Sequence, residues 1–209
     1  MYSSKINSLI PRLRTNKNIS SLGIHFHRKT QNVSEWSIKS ELQETVSAAN
    51  LARVNIVNIG GGIPAQYKNY NSSVLENIFN KIFDCRKWLN NLGIKMIIEP
   101  GRYIAAPSVI LETNIKAINN KNITIDCSVY NAAMDTFVAN IRLLVEGELE
   151  SAEAYTIKGC TPDSMDIFRY KVYLKNPKIG DKLIFLNAGA YNYSSDFCNL
   201  PKLPTNLNI

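Results

Sequence analysis

Apolar positions in the first half of the chain switch between two periods. A polar segment ending near Asn16 reads as a helix. Residues 22–27 (LGIHFH) read as a short strand, closed by the polar run at 28–32. From Ser34 onward, Ile38, Leu42, Val46 and Ala49 recur about every four positions, which predicts one stripe of an amphipathic helix. Residues 54–59 (VNIVNI) are a short β-branched run of the kind found in strands buried within a parallel sheet. Ser73 and Glu76 have capping-box spacing. Leu75, Ile78, Phe79, Ile82, Leu89 and Leu92 then hold the helical period until Gly93 offers a stop. Residues 94–98 (IKMII) give a third compact strand. Strand, helix, strand, helix, strand is the grammar of βα units around a parallel sheet.

Past about Pro107 the pattern changes. Residues 108–118, 123–126, 141–145, 154–157, 168–174 and 182–186 are short, β-prone and separated by turn residues. This half reads as mostly antiparallel β. The expected division is residues 1–107, α/β, and residues 108–209, all-β.

Composition adds few constraints. With 209 residues, 45% hydrophobic and 20% charged, the chain has ordinary globular composition. No apolar run approaches the roughly 20 residues of a membrane span, and the first residues lack the core of a signal peptide. A cytoplasmic protein without a membrane partner is expected. The net charge of +7 favours anionic ligands in general, but a bare charge excess is too weak a footprint to predict nucleic-acid binding. Cys85, Cys127, Cys160 and Cys198 form no CxxC pair, so reduced thiols and no metal centre are expected.

Three polar motifs follow the three predicted parallel strands: FHRKTQ, GGG and EPGR. Functional groups of such sheets gather at the strands' carboxyl ends, where loops share a crevice. Gly60, Gly61 and Gly62 allow close backbone approach to a phosphate, or simply make a tight turn. Arg102 suits bidentate phosphate contact, and Gly101 suits close approach. Glu99, ending an apolar strand, calls for a cationic partner; an ion pair with Arg102 is the alternative. His25 and His27 alternate and point to opposite faces.

In this order GIHFHRKTQ, NIGGGIP, IIEPGRY, GCTPDSMD and NAGAYNYSSDF resemble the pyridoxal-phosphate-dependent ornithine/diaminopimelate/arginine decarboxylases. The resemblance spans residues 23–197 and implies a partial (β/α) TIM-type barrel followed by a mostly antiparallel β domain. The implied cofactor is pyridoxal 5'-phosphate. His27 would stack on its ring, and Thr30, Gly60, Gly61, Gly62, Gly101, Arg102 and Tyr191 would hold its phosphate. Glu99 would keep the ring nitrogen protonated. Asp163 matches the acidic residue that takes the distal amine of a basic amino acid, and Asp126 its acidic companion. The family's acid cysteine normally precedes this Asp directly; here Pro162 stands there, with Cys160 two residues earlier as the candidate acid.

A full (β/α)₈ barrel takes about 250 residues, whereas only three or four βα units precede the β domain here. By order, the Schiff-base lysine of the family is not among these residues; Lys5, Lys17 and Lys29 stand in the wrong contexts. The resemblance therefore implies decarboxylation of an ornithine-, lysine- or arginine-type substrate by a truncated or split chain. Its partner would be a second copy, a separate amino-terminal half or a full-length homologue. The alternative is a catalytically inactive fragment or a regulatory module that pairs with a full-length decarboxylase.

Overall fold

The computed structural model describes residues 2–70, 72–192 and 195–207, with the side chains of Tyr2, Ser72 and Cys198 outside the description. The chain divides into two compact units, Met1–Pro64 with Ser72–Gly101, and Ala65–Asn71 with Arg102–Ile209.

The first unit is built on three parallel strands, β1 (Gly23–His25), β2 (Ile56–Asn58) and β3 (Lys95–Ile97), paired in that order. Helix α1 (Tyr2–Arg14) precedes them. The stripe expected to form one helix from Ser34 instead forms two, α2 (Ile38–Thr45) and α3 (Ala48–Leu51). Val46 is extended (φ −113°, ψ 122°) and Ser47 restarts the helix, its hydroxyl accepting the Asn50 amide. Ile38, Leu42 and Val46 are buried, but the break carries Ala49 to the surface. Helix α4 (Leu75–Asn91) buries Ile78, Ile82, Cys85 and Leu89. Its start differs from the capping-box expectation: Ser72–Val74 make a 3₁₀ turn, and Val74 caps without a side-chain bond. Gly93, at φ +71°, ends the helix as its left-handed geometry requires.

One local conflict is resolved by a distant side chain. Pro11 lies inside α1 and has no N–H to give the carbonyl of Asn7. That carbonyl accepts Asn50 Nδ2 at 2.9 Å, and the same amide reaches Asn7 Oδ1 at 2.8 Å. Asn50→Ala leaves both acceptors without this donor, and a loss of about 1–2 kcal/mol is expected in urea unfolding. A change below about 0.3 kcal/mol would show that water replaces the amide without penalty.

In the second unit a six-stranded sheet runs in the order β6-β9-β4-β5-β7-β8. Its strands are β4 (Leu111–Asn119), β5 (Asn122–Ile125), β6 (Leu144–Val145), β7 (Glu153–Lys158), β8 (Ile167–Leu174) and β9 (Lys182–Leu186). All neighbours are antiparallel except β5 and β7, which pair in parallel. Ile115, Ile123, Ile125, Ile157, Phe168, Val172 and Phe185 fill the core between sheet faces. The unit also holds three four-residue helices, α5 (Arg102–Ala105), α6 (Val129–Ala132) and α7 (Asp135–Val138). No helix among the described residues is long and apolar enough to cross a membrane.

Candidate functional site

In the first unit the three motifs emerge at the same end of the parallel sheet, because each follows the carboxyl end of its strand. Backbone bonds continue beyond the strands: Ile59 N donates to Ile97 O at 3.0 Å, and Glu99 N to Gly60 O at 2.8 Å. The three glycines are what let these loops close on one another. A Cβ on Gly60 would lie 2.6 Å from the Phe26 carbonyl oxygen, on Gly61 2.4 Å from that of Glu99, and on Gly62 2.4 Å from that of Lys29. The Gly61 N–H donates to His27 Nδ1 at 3.1 Å, so the neutral imidazole carries its proton on Nε2. The glycine loop thus packs against its neighbouring loops and fixes the His27 ring.

Glu99 is half-exposed rather than buried. Its Oε1 accepts Asn58 Nδ2 at 2.7 Å, and His25 Nε2 lies 3.6 Å from Oε2. Asn58 also receives the Gly60 N–H at 2.9 Å, so one amide organises both the glycine turn and the carboxylate. Asn58 was not singled out in the sequence, although a polar residue closing an apolar strand before GGG was the available signal. Thr30 and Gly101 are exposed in turns, and Gly101 N donates to Glu99 O at 2.9 Å.

The second unit holds Arg102 and Tyr191. The Arg102 side chain is buried, and its guanidinium bonds the equally buried Asp135 and Tyr67 Oη at 3.3 Å. It also faces the Tyr191 ring, 4.8 Å from the centroid. Burial works against the charge, but the bonds to Asp135 and Tyr67 outweigh it and raise the Arg102 pKa above its ordinary value. Tyr191 is 70% exposed and held at φ +59°, a left-handed conformation unusual for a tyrosine. Beside it Gly189 packs so closely that a Cβ would lie 2.0 Å from the Ala105 carbonyl oxygen. Asn192 Oδ1 accepts the Asp135 N–H at 3.0 Å. Asp135 and Tyr67 escaped the sequence reading, since neither stands in a recognisable motif.

Asp163 is exposed, with Oδ1 accepting Met165 N at 2.8 Å and Oδ2 bonded by the Tyr130 hydroxyl. These two donors, the backbone one first, hold its carboxyl below the usual range. The loop itself is anchored by Asp166, which is buried and accepts Val129 N at 2.8 Å, Thr161 N at 3.1 Å and Thr161 Oγ1 at 2.7 Å. Cys160 is an exposed free thiol whose N–H donates to Cys127 O at 3.0 Å. Partial burial, then the charge of Asp166, pushes its pKa up. Asp126 is held by Asn114, N to Oδ1 at 3.0 Å and Nδ2 to Oδ2 at 2.7 Å, and lines a cavity of about 650 Å³ with Asn192, Lys182 and Leu203.

Three parallel βα units ahead of a separate sheet domain define the class as a (β/α) half barrel joined to a β domain. Comparison with known proteins then places the chain. The model of the pyridoxal-dependent decarboxylase pyridoxal binding domain matches residues 4–106. That of the pyridoxal-dependent decarboxylase C-terminal sheet domain matches residues 102–189. The chain belongs to the pyridoxal-phosphate-dependent ornithine/diaminopimelate/arginine decarboxylase family. It is 27% identical to diaminopimelate decarboxylase of Helicobacter pylori over 205 residues, 88% of this chain and 48% of that enzyme. It resembles the solved structure of the Helicobacter pylori enzyme complexed with L-lysine, with TM-score 0.78, 21% identity, and coverage of 96% of this chain and 52% of that one. It also resembles lysine/ornithine decarboxylase of Vibrio vulnificus complexed with putrescine, at TM-score 0.72 and 20% identity over 96% of this chain and 58% of that one. The chain thus spans about half the length of the relatives it matches.

The family's cofactor is pyridoxal phosphate, and the residues present fit it. A half-exposed carboxylate at Glu99, oriented by Asn58 and with the His25 imidazole 3.6 Å away, suits a protonated ring nitrogen. In the same unit, the imidazole fixed at His27 offers a flat face.

Proposed function

We propose that this chain forms the later part of a decarboxylase acting on a basic amino acid of the ornithine, lysine or arginine type. The observation that carries the reading is Glu99: an accessible carboxylate at the end of β3, oriented by Asn58 and lacking a lysine or arginine partner among the described residues. When bound, the cofactor's protonated ring takes up the electron pair released as the Cα–carboxylate bond breaks. Glu99 would hold the proton on the ring nitrogen, and His27, fixed by the Gly61 N–H, would lie against the ring. Gly60, Gly61, Gly62, Gly101, Arg102, Thr30 and Tyr191 would bind the phosphate end. Asp163 would receive the distal amine with Asp126 as its companion, and Cys160 would return a proton to the product carbon. The Schiff-base lysine would come from outside these 209 residues, and the working assembly would bring the β domain of one copy to its partner.

The test is co-expression with the polypeptide of the same genome that carries the family's first half. Release of labelled carbon dioxide from ornithine, lysine, arginine and diaminopimelate is then measured. Turnover of a basic amino acid that needs both polypeptides is expected; a mixture with neither complex nor carbon dioxide release rejects the proposal. Pro162 in the acid-cysteine position favours a second reading, an inactive module that pairs with a full-length decarboxylase. Capture of such an enzyme without any turnover distinguishes it.

A further inference from the structure

Strand β4 is paired along only part of one side. Its antiparallel register sets Leu111 against Phe185 and Thr113 against Leu183 on β9. Ile115 N donates to Asp181 O, and Val109 O accepts Ala188 N, so the backbone groups of the odd-numbered residues face β9. Those of the even-numbered residues face the other way. There Asn114 exchanges bonds with Asp126, its N donating to Oδ1 at 3.0 Å and its O accepting Asp126 N at 3.1 Å. Ahead of Asn114 that side is bare: β5 meets β4 only from Ile115 onward, and no described strand pairs there with Ile110 or Glu112. Val109 and Ile110, at the bare stretch, are 44% and 43% exposed. An open edge with apolar side chains is a template for another extended chain.

This edge lines the cavity of about 650 Å³ that also holds Asp126 and Asn192. Asn192 is 6% exposed, and its Oδ1 accepts the Asp135 N–H, which fixes the amide. Its Nδ2 has no partner among the described residues. A buried donor of this kind calls for an oxygen. Many ligands carry one, but the free N–H and C=O groups of Ile110 and Glu112 ask for a matching alternation, which a peptide backbone presents.

We propose that residues 110–112 form a strand-addition site, where an extended segment of a second polypeptide pairs with β4 and gives a carbonyl oxygen to Asn192 Nδ2. The occupant is an apolar segment of the polypeptide that carries the family's first half, because this chain spans about half the length of the relatives it matches. The inference rests on the proposed function and deepens it by naming where the two polypeptides hold each other.

The test titrates the full chain with the blocked peptide Val-Thr-Val-Thr-Val, and with an analogue N-methylated at its three central residues. Calorimetry gives affinity and amide hydrogen exchange gives location. The parent peptide is expected to bind and to slow exchange at Ile110 and Glu112, while the analogue binds at least about tenfold more weakly. Glu112→Pro removes a donor that no described strand uses, so the fold should survive and binding should fall by a similar factor. Glu112→Ala keeps the N–H and should bind as wild type does. Asn192→Ala should weaken binding about fivefold, the loss of one hydrogen bond. Equal affinity for the two peptides, or equal binding by Glu112→Pro and Glu112→Ala, overturns the proposal. So does protection of both amides without any peptide, whether the chain's own tail or a second copy supplies it. In the co-expressed pair, Glu112→Pro should release the partner polypeptide. That release without decarboxylation in the wild-type pair would reject the proposed function and leave this site standing. Decarboxylation and capture that Glu112→Pro leaves unchanged would do the reverse.

Discussion

Asp135→Ala is expected to destabilise the second unit by about 3–5 kcal/mol, because it takes the Asp135 carboxylate away from the buried Arg102 guanidinium. The two side chains are 5% and 2% exposed, and Tyr67 Oη at 3.3 Å is a further polar partner of the same nitrogen. A buried ion pair adds little over a well-packed apolar pair, yet removing one member alone exposes the full desolvation cost of the other. Three variants separate these terms. Asp135→Asn keeps a hydrogen-bond acceptor and loses the charge, so it should fall between wild type and Asp135→Ala. The double variant Arg102→Met/Asp135→Ala removes both charges and should recover at least half of the loss. Urea unfolding followed by circular dichroism measures each. A double variant no more stable than Asp135→Ala would show that packing, not the unpaired charge, sets the loss. Because Arg102 also faces Tyr191, Asp135→Ala should loosen that exposed ring as well, visible as a change in its fluorescence.

The same pair marks what the sequence hides. The three βα units were legible because short runs rich in β-branched and apolar residues, VNIVNI and IKMII, alternate with segments that hold the helical period. Their chemistry was legible too, since FHRKTQ, GGG and EPGR each stand where an apolar run stops. Asp135 was not. It lies 33 residues from Arg102, in a four-residue helix too short to show a period, and only the fold brings the two together. Tyr130 and Asp163 are likewise 33 residues apart. The parallel pairing of β5 with β7 is also invisible locally, because pattern reports a strand's faces and not its neighbour. Where local signals were misread, a competing local preference won. Ser73 and Glu76 had capping-box spacing, but Ser72–Val74 took a 3₁₀ turn; Ser47 offered a cap that split one predicted helix in two.

Gly61→Ala is the second substitution with a large expected effect, and it tests the glycine loop directly. Gly61 has no left-handed backbone to explain it; what excludes a side chain is space. The added methyl would meet the Glu99 carbonyl oxygen at 2.4 Å and His27 Cε1 at 3.4 Å. The first contact is backbone of a neighbouring strand end, which cannot swing away as a side-chain tip does. A loss of about 3 kcal/mol is expected, the upper end for overpacking. The methyl also pushes on the two residues assigned to the cofactor ring, so affinity for pyridoxal phosphate should fall by about tenfold, equivalent to about 1.4 kcal/mol. Gly93→Ala is the control. There φ is +71° and nothing lies within 4 Å of the new methyl, so only backbone strain of about 1 kcal/mol applies and cofactor affinity should hold. Urea midpoints and cofactor absorbance titrations of the two variants give the comparison. If Gly61→Ala unfolds like wild type and binds the cofactor equally well, the three loops are not locked together through this residue. The glycines would then serve only as a turn.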